Sequence, residues 1–318
     1  MKSLTYGLIG AGLIIAGATI AAPAPSWTPP PDSARCPSKW GAGDQRGSAN
    51  HIKPTSVVNA ARLIKTGEIV EMGRVLNRSM PLGQRQYNIL TKLSAEPAGT
   101  NRRSGNEEMI IAEMGQVGTQ FDGFAHQTIG DSLYNCFKVD DVATRNGFSK
   151  LGIENIGALM TRGLLLDIAA LKGVEMLPDT YEITVADLQQ ALQRQQLTLQ
   201  PGDAVILHTG WGRLWGKEND RYMKTNPGID VAASEWLARQ DPMLIGADTA
   251  PINVTPSPDP KLSNPVHQIA LVVNGIFLLE NLRLDELAAQ RAYEFALIVE
   301  PLKLVGATGS TVAPIAVR

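Results

Sequence analysis

Strand-length apolar runs alternate with helical stripes through the second half of the chain, and no other feature limits the possible folds as much. Leu164 to Ile168 is the first run. Thr184, with Asp187 three residues on, then predicts a capped helix to about Gln196, with Val185, Leu188, Ala191 and Leu192 as its stripe. A Pro201-Gly202-Asp203 turn leads into a buried strand over 204–208. Asp230 opens a helix carrying Ala233, Trp236 and Leu237, and a strand over 244–247 follows. The stretch 267–271 precedes an apolar run over 275–279, then a short helix over 282–289 and a last strand over 294–299. This order places the chain in the α/β class. Its strands end in His208, Asp248 and Glu280, so a site at strand ends is expected.

The first half is less regular. Thr55 predicts a helix to about Lys65, with Val57, Ala60, Ala61 and Ile64 inward and Gly67 ending it, and a strand over 69–72 follows. Residues 80–107, with Arg85, Arg102 and Arg103, lack periodicity and read as a loop that covers a pocket or is merely solvated. Residues 109–113 read as a short strand.

That strand feeds the segment richest in chemistry, Gln116-Val117-Gly118-Thr119-Gln120-Phe121-Asp122-Gly123-Phe124-Ala125-His126. Residues 120, 122 and 126 share a parity and can project to one side of an extended backbone. An amide oxygen, a carboxylate and an imidazole together suit a divalent ion and its water. The same residues could equally cap a turn on a solvated loop. Downstream, His267 and Glu280 are further candidates. His208, Trp211, Trp215 and Asp248 read either as core and capping residues or as pocket lining, and His51 as a surface residue.

The 318 residues are 44% hydrophobic with a net charge of −2, enough for a large core but no electrostatic footprint for nucleic acid or anionic lipid. Residues 1–21 have the pattern of a secretory signal peptide: Lys2, then an apolar Gly/Ala-rich stretch, then small residues before a cut after Ala21. An uncleaved anchor is the alternative reading. Residues 22–36 read as a Pro-rich extended N-terminus and 37–318 as a single domain. The expected location is secreted or periplasmic, with no membrane contact after cleavage. An oxidising compartment permits a bridge between Cys36 and Cys136, and two unrelated thiols are the other reading.

Several segments in order resemble the cyclase superfamily, which includes kynurenine formamidases (arylformamidases), isatin hydrolase and trans-dienelactone hydrolase. QVGTQFDGFAH resembles that family's HxGTHxDxPxH. Trp40 to Asn50 resembles the WGxxDxxGxxN of larger members, and His208-Thr209-Gly210-Trp211 resembles (R/K/H)TGW. Leu244 to Thr249, Pro265-Val266-His267, Leu279-Glu280-Asn281-Leu282 and the tail 306–316 resemble later family segments.

The resemblance implies a swivelling β/β/α fold, a mixed sheet curled as an open barrel with flanking helices, in homodimers or homotetramers. It implies metal ligands at Asp122, His267 and Glu280, and a proton-transfer role for His126. Gln116 and Gln120 stand where other members have histidines and are expected as weaker, amide-oxygen ligands, so the expectation is one divalent ion, manganese or zinc, and not a binuclear centre. The implied activity is hydrolysis of a small-molecule amide, such as an N-formyl arylamine or an isatin-like cyclic amide, by metal-activated water. A lactone or ester hydrolase on the same site is one alternative. A metal-poor binding protein is the other.

Overall fold

The computed structural model describes residues 1, 26–94 and 96–318, so the signal-peptide segment lies, apart from Met1, outside the described residues. Nine strands form one mixed sheet. In chain order they are β1 (Ile69–Glu71), β2 (Gln120–Asp122), β3 (Leu159–Asp167), β4 (Ala204–His208) and β5 (Leu244–Ala247). Then come β6 (Phe277–Glu280), β7 (Glu294–Val299), β8 (Gly309–Thr311) and β9 (Ile315–Val317). Across the sheet the order is β1-β9-β7-β3-β4-β5-β6-β2-β8. The middle four, β3 to β6, are parallel, and the flanking pairs are antiparallel.

The sheet curls into an open half-barrel. Residues 312–314 carry the chain from the edge strand β8 directly to β9 beside β1 and so link the two ends; Val312 N extends the β8–β2 ladder to Thr119 O and Met72 N the β1–β9 ladder to Pro314 O, each at 2.9 Å. Parallel strands covered on both faces need continuous apolar sequence, and Leu164, Leu165, Leu166, Val205, Ile206, Leu207, Leu244, Ile245, Leu278 and Leu279 are all fully buried. The helix Val185–Gln195 carries the expected capping box, with Thr184 Oγ1 accepting from Asp187 N and Asp187 Oδ2 accepting from Thr184 N. It packs on β3, and Val231–Ala238 packs in turn on it.

Two expectations change. The first helix is shorter, Pro54–Ala61, and Ile64 lies outside it and is exposed. Within 80–107 the expected loop holds the first strand of a hairpin: Tyr87–Leu93 pairs antiparallel with Asn106–Ala112. Both faces of this ribbon meet solvent, with Ile89, Leu90, Leu93, Met109, Ile110 and Ile111 exposed. No face points to a core, so no inward/outward alternation was imprinted on its sequence.

Cys36 and Cys136 are bridged, with Cα atoms 6.0 Å apart. The bond ties the segment before Trp40 to the loop after the metal motif. A ring spanning 100 residues contributes up to ~4.7 kcal/mol in the chain-entropy account. Replacing both cysteines with serine is therefore expected to lower the urea midpoint clearly, and an unchanged midpoint would show that the bridge adds nothing.

Asp44, from the Trp40–Asn50 segment, is a local organiser. Its carboxylate accepts from Arg46 N, Gly47 N, Asn50 Nδ2 and Tyr134 Oη at 2.7–3.2 Å.

Candidate metal centre

Strand β2 lies between β6 and β8, pairing antiparallel with both. The two-residue period of a strand turns Gln120 and Asp122 to one face and Phe121 to the other. Phe121 packs on Phe277 with ring centroids 5.0 Å apart, which fixes the register from the core side. Across the ladder Gln120 faces Glu280, and Asp122 faces the apolar Leu278.

A clasp holds the two strands' approach. Thr119 Oγ1 donates to Asn281 O at 2.9 Å, and Asn281 Nδ2 donates to Gly118 O at 2.8 Å. Gly118 adopts φ +68°, in the left-handed region that favours glycine, and a Cβ there would have to push aside Leu76, whose Cδ2 it would meet at 2.1 Å.

His267 comes from a different element. Asn264 in the left-handed region starts the short helix Pro265–His267, which continues as a widened π-helical stretch, Gln268–Asn274. Such stretches recur at functional sites. This one sets the His267 ring over the β2–β6 face.

The side chains converge there. His267 Nε2 is 3.4 Å from Glu280 Oε1 and 3.7 Å from Asp122 Oδ2. Gln120 Nε2 donates to Glu280 Oε2 at 3.0 Å, and Glu280 Oε1 also accepts from Ile252 N at 3.0 Å. Gln116 Nε2 lies 3.3 Å from His126 Nδ1 and 3.5 Å from Asp122 Oδ1. One ligand atom each from Asp122, His126 and His267 falls within 4.8 Å of the others.

Burial, then the charge of Glu280, raises the Asp122 carboxyl from 3.8 to about 8. Burial and the charge of His267 lower His126 to about 4, so its ring is neutral at pH 7. Burial alone would also lower His267, but its hydrogen bond to Glu280 and the charges of Glu280 and Asp122 outweigh that and raise it. Two buried carboxyls beside each other thus share one raised imidazole as their counter-charge. Asp122 Oδ2, Gln120 Oε1 and His267 Nδ1 are buried without a hydrogen-bond partner. A divalent cation fits this donor set, because it would neutralise the carboxylates and coordinate nitrogen and oxygen together.

All six residues expected from the sequence are in this cluster. Their roles within it are more differentiated than expected. His126 brings a ring nitrogen into the ligand group itself. Glu280 borders the group, braced by Gln120 and Ile252. Both glutamines turn amide N–H groups, not oxygens, toward the carboxylates.

Sequence reasoning named Arg85 only within a loop that covers a pocket or is merely solvated, and missed that its Nη2 donates to Gln116 Oε1 at 3.1 Å, because an aperiodic segment carries no spacing signal. Nor did it find Asn281, which follows Glu280 at φ +59°.

The remaining candidates are structural. Asp248 caps the turn after β4, accepting from Thr209 N, Thr209 Oγ1 and Gly212 N. Trp211 is fully buried, and Trp215 packs edge-on to Tyr222. His208 pairs through Nδ1 with Asp167 at 2.8 Å. His51 pairs with Asp241 at 3.0 Å.

A half-barrel of mixed strands with a buried carboxylate–imidazole cluster on one strand pair defines an α/β protein with a candidate metal site. The model of the Cyclase family matches residues 25–254, and the chain belongs to that family. Among solved structures, a novel cyclase is 32% identical, with 88% of this chain and 98% of that one covered at a TM-score of 0.80. An isatin hydrolase bound to the product analogue thioisatinate is 19% identical, covering 83% and 98% at a TM-score of 0.56. A predicted metal-dependent hydrolase from Bacillus stearothermophilus is 18% identical, covering 78% and 97% at 0.51. The last two share the fold. No match was found among curated proteins.

Proposed function

We propose that this chain is an exported, metal-dependent hydrolase that opens the carbonyl–nitrogen bond of a small arylamide or cyclic amide. The observation that carries the reading is the convergence of Asp122, His126 and His267 ligand atoms within 4.8 Å on a buried strand pair. When bound there, a divalent ion supplies Lewis-acid polarisation of a carbonyl and acidifies water. Asp122 and His267 would hold it with His126, and Glu280 orients His267 through the 3.4 Å contact at Nε2. The neutral His126 ring, with Gln116 beside Nδ1, is equipped to accept a proton if it is not itself coordinated.

The cystine bridge supports export, since such bonds persist in oxidising compartments. No helix among the described residues is long and apolar enough to cross a membrane. A lactone substrate would meet the same residues, because one activated water serves both carbonyls.

Two measurements test the reading. Protein purified without chelator is expected to carry about one manganese or zinc per chain, and a panel of formanilides, isatins and lactones is expected to show turnover on the amides first. A metal-free, inactive protein would sink the hydrolase reading, and exclusive lactone turnover would move it to esters. Changing both Gln116 and Gln120 to histidine is expected to raise zinc affinity, imidazole being the stronger zinc ligand. An unchanged zinc titration would show that these positions lie beyond coordination reach.

A further inference from the structure

The geometry points to Arg85 as an anion anchor at the mouth of the centre, selecting amide substrates that carry a carboxylate; this substrate class rests on the hydrolase reading above. Arg85 lies in the exposed segment just before the hairpin. Its neighbours are pinned: Arg85 N donates to Leu82 O, and Gln86 N donates to Glu113 Oε2 at 2.7 Å. The side chain spends one donor on Gln116 Oε1, and the opposite end of that amide touches His126 and Asp122. Among the described residues no carboxylate pairs with Arg85, whereas Arg74 is committed to the backbone carbonyls of Asn281 and Leu282.

A guanidinium has five N–H donors in a planar fork. With one used on Gln116, the remaining donors of Arg85 are available to a carboxylate at one amide's length from the catalytic cluster. A cation at this distance weakens the hold on a metal ion if left alone. It is useful where the arriving ligand brings a negative charge of its own. The same contact turns the Gln116 oxygen outward and its amide N–H groups inward, so Arg85 also sets which end of Gln116 faces the reacting atoms.

The test uses benzoate as the carboxylate probe and benzamide as its neutral counterpart, titrated calorimetrically into the Mn2+-loaded and the metal-free protein. Arg85→Ala is expected to weaken benzoate binding about tenfold in either form, the usual loss for one charge-assisted contact, and to leave benzamide unchanged. Arg85→Lys, which keeps the charge but not the fork, is expected to recover part of the loss. Benzoate binding that is undetectable in the parent, equal in the Ala variant, or weakened no more than benzamide overturns the anchor. Failure of the protein to take up Mn2+ would count against the hydrolase reading alone, because the metal-free titration still decides on Arg85.

Discussion

Asp122→Asn is expected to give a folded protein that retains no divalent ion and turns over no substrate. The carboxylate is fully buried on β2, and the amide that replaces it has the same shape but no charge to offset a cation's desolvation. The substitution has a second signature in the metal-free protein. There the folded state holds the Asp122 proton up to about 8, while the unfolded chain releases it near 3.8. The folded state therefore binds more protons between those values, and stability falls as pH rises through that window. Asn has no proton to lose. The chelator-treated parent is expected to melt at progressively lower temperature from pH 5 to pH 8, with a flatter profile for Asp122→Asn. Metal content equal to the parent, or an identical pH slope, would remove Asp122 from the centre of the site.

His126→Ala is expected to lower turnover by ~10²–10⁴-fold, the range for losing a general acid–base group. Its pKa near 4 keeps the ring neutral throughout the neutral range, which suits either proton transfer or coordination. Metal analysis of the variant separates these. Retained metal with lost turnover assigns proton transfer at the ring, and lost metal assigns coordination, in keeping with its place among the ligand atoms. Retained metal with parental turnover would exclude both roles.

The middle of the sheet was legible because burial on both faces leaves one mark, an uninterrupted apolar run. Strands over 204–208, 244–247 and 294–299 formed on the residues their sequence predicts. Two of the short outer strands were not, although the edge strand Ile69–Glu71 formed within the expected 69–72. Gly309–Thr311 and Gln120–Asp122 have three residues each, too few for a period, and exist only through pairing with each other and with β6. The candidate site was legible in its residue types, since Gln, Asp and His recur at one parity in 120–126. The direction of each glutamine amide was not, because it depends on partners far away in sequence: Arg85 for Gln116 and Glu280 for Gln120. Sequence order carries no record of which lone pair faces which donor.

The placement of β9 bears on how the molecule is made. This strand inserts between β1 and β7, so Ile69 meets Val317 on one side while Ala296 meets the same residue on the other. The carbonyl of Arg318 closes the turn before β1 by accepting from Thr66 N and Gly67 N. During synthesis β1 emerges early but has no hydrogen-bonding neighbour until residues 315–317 exist, so one edge of the sheet stays open until nearly the whole described chain has been translated. A nascent chain halted short of that point carries an unpaired strand edge, a surface open to pairing with other chains.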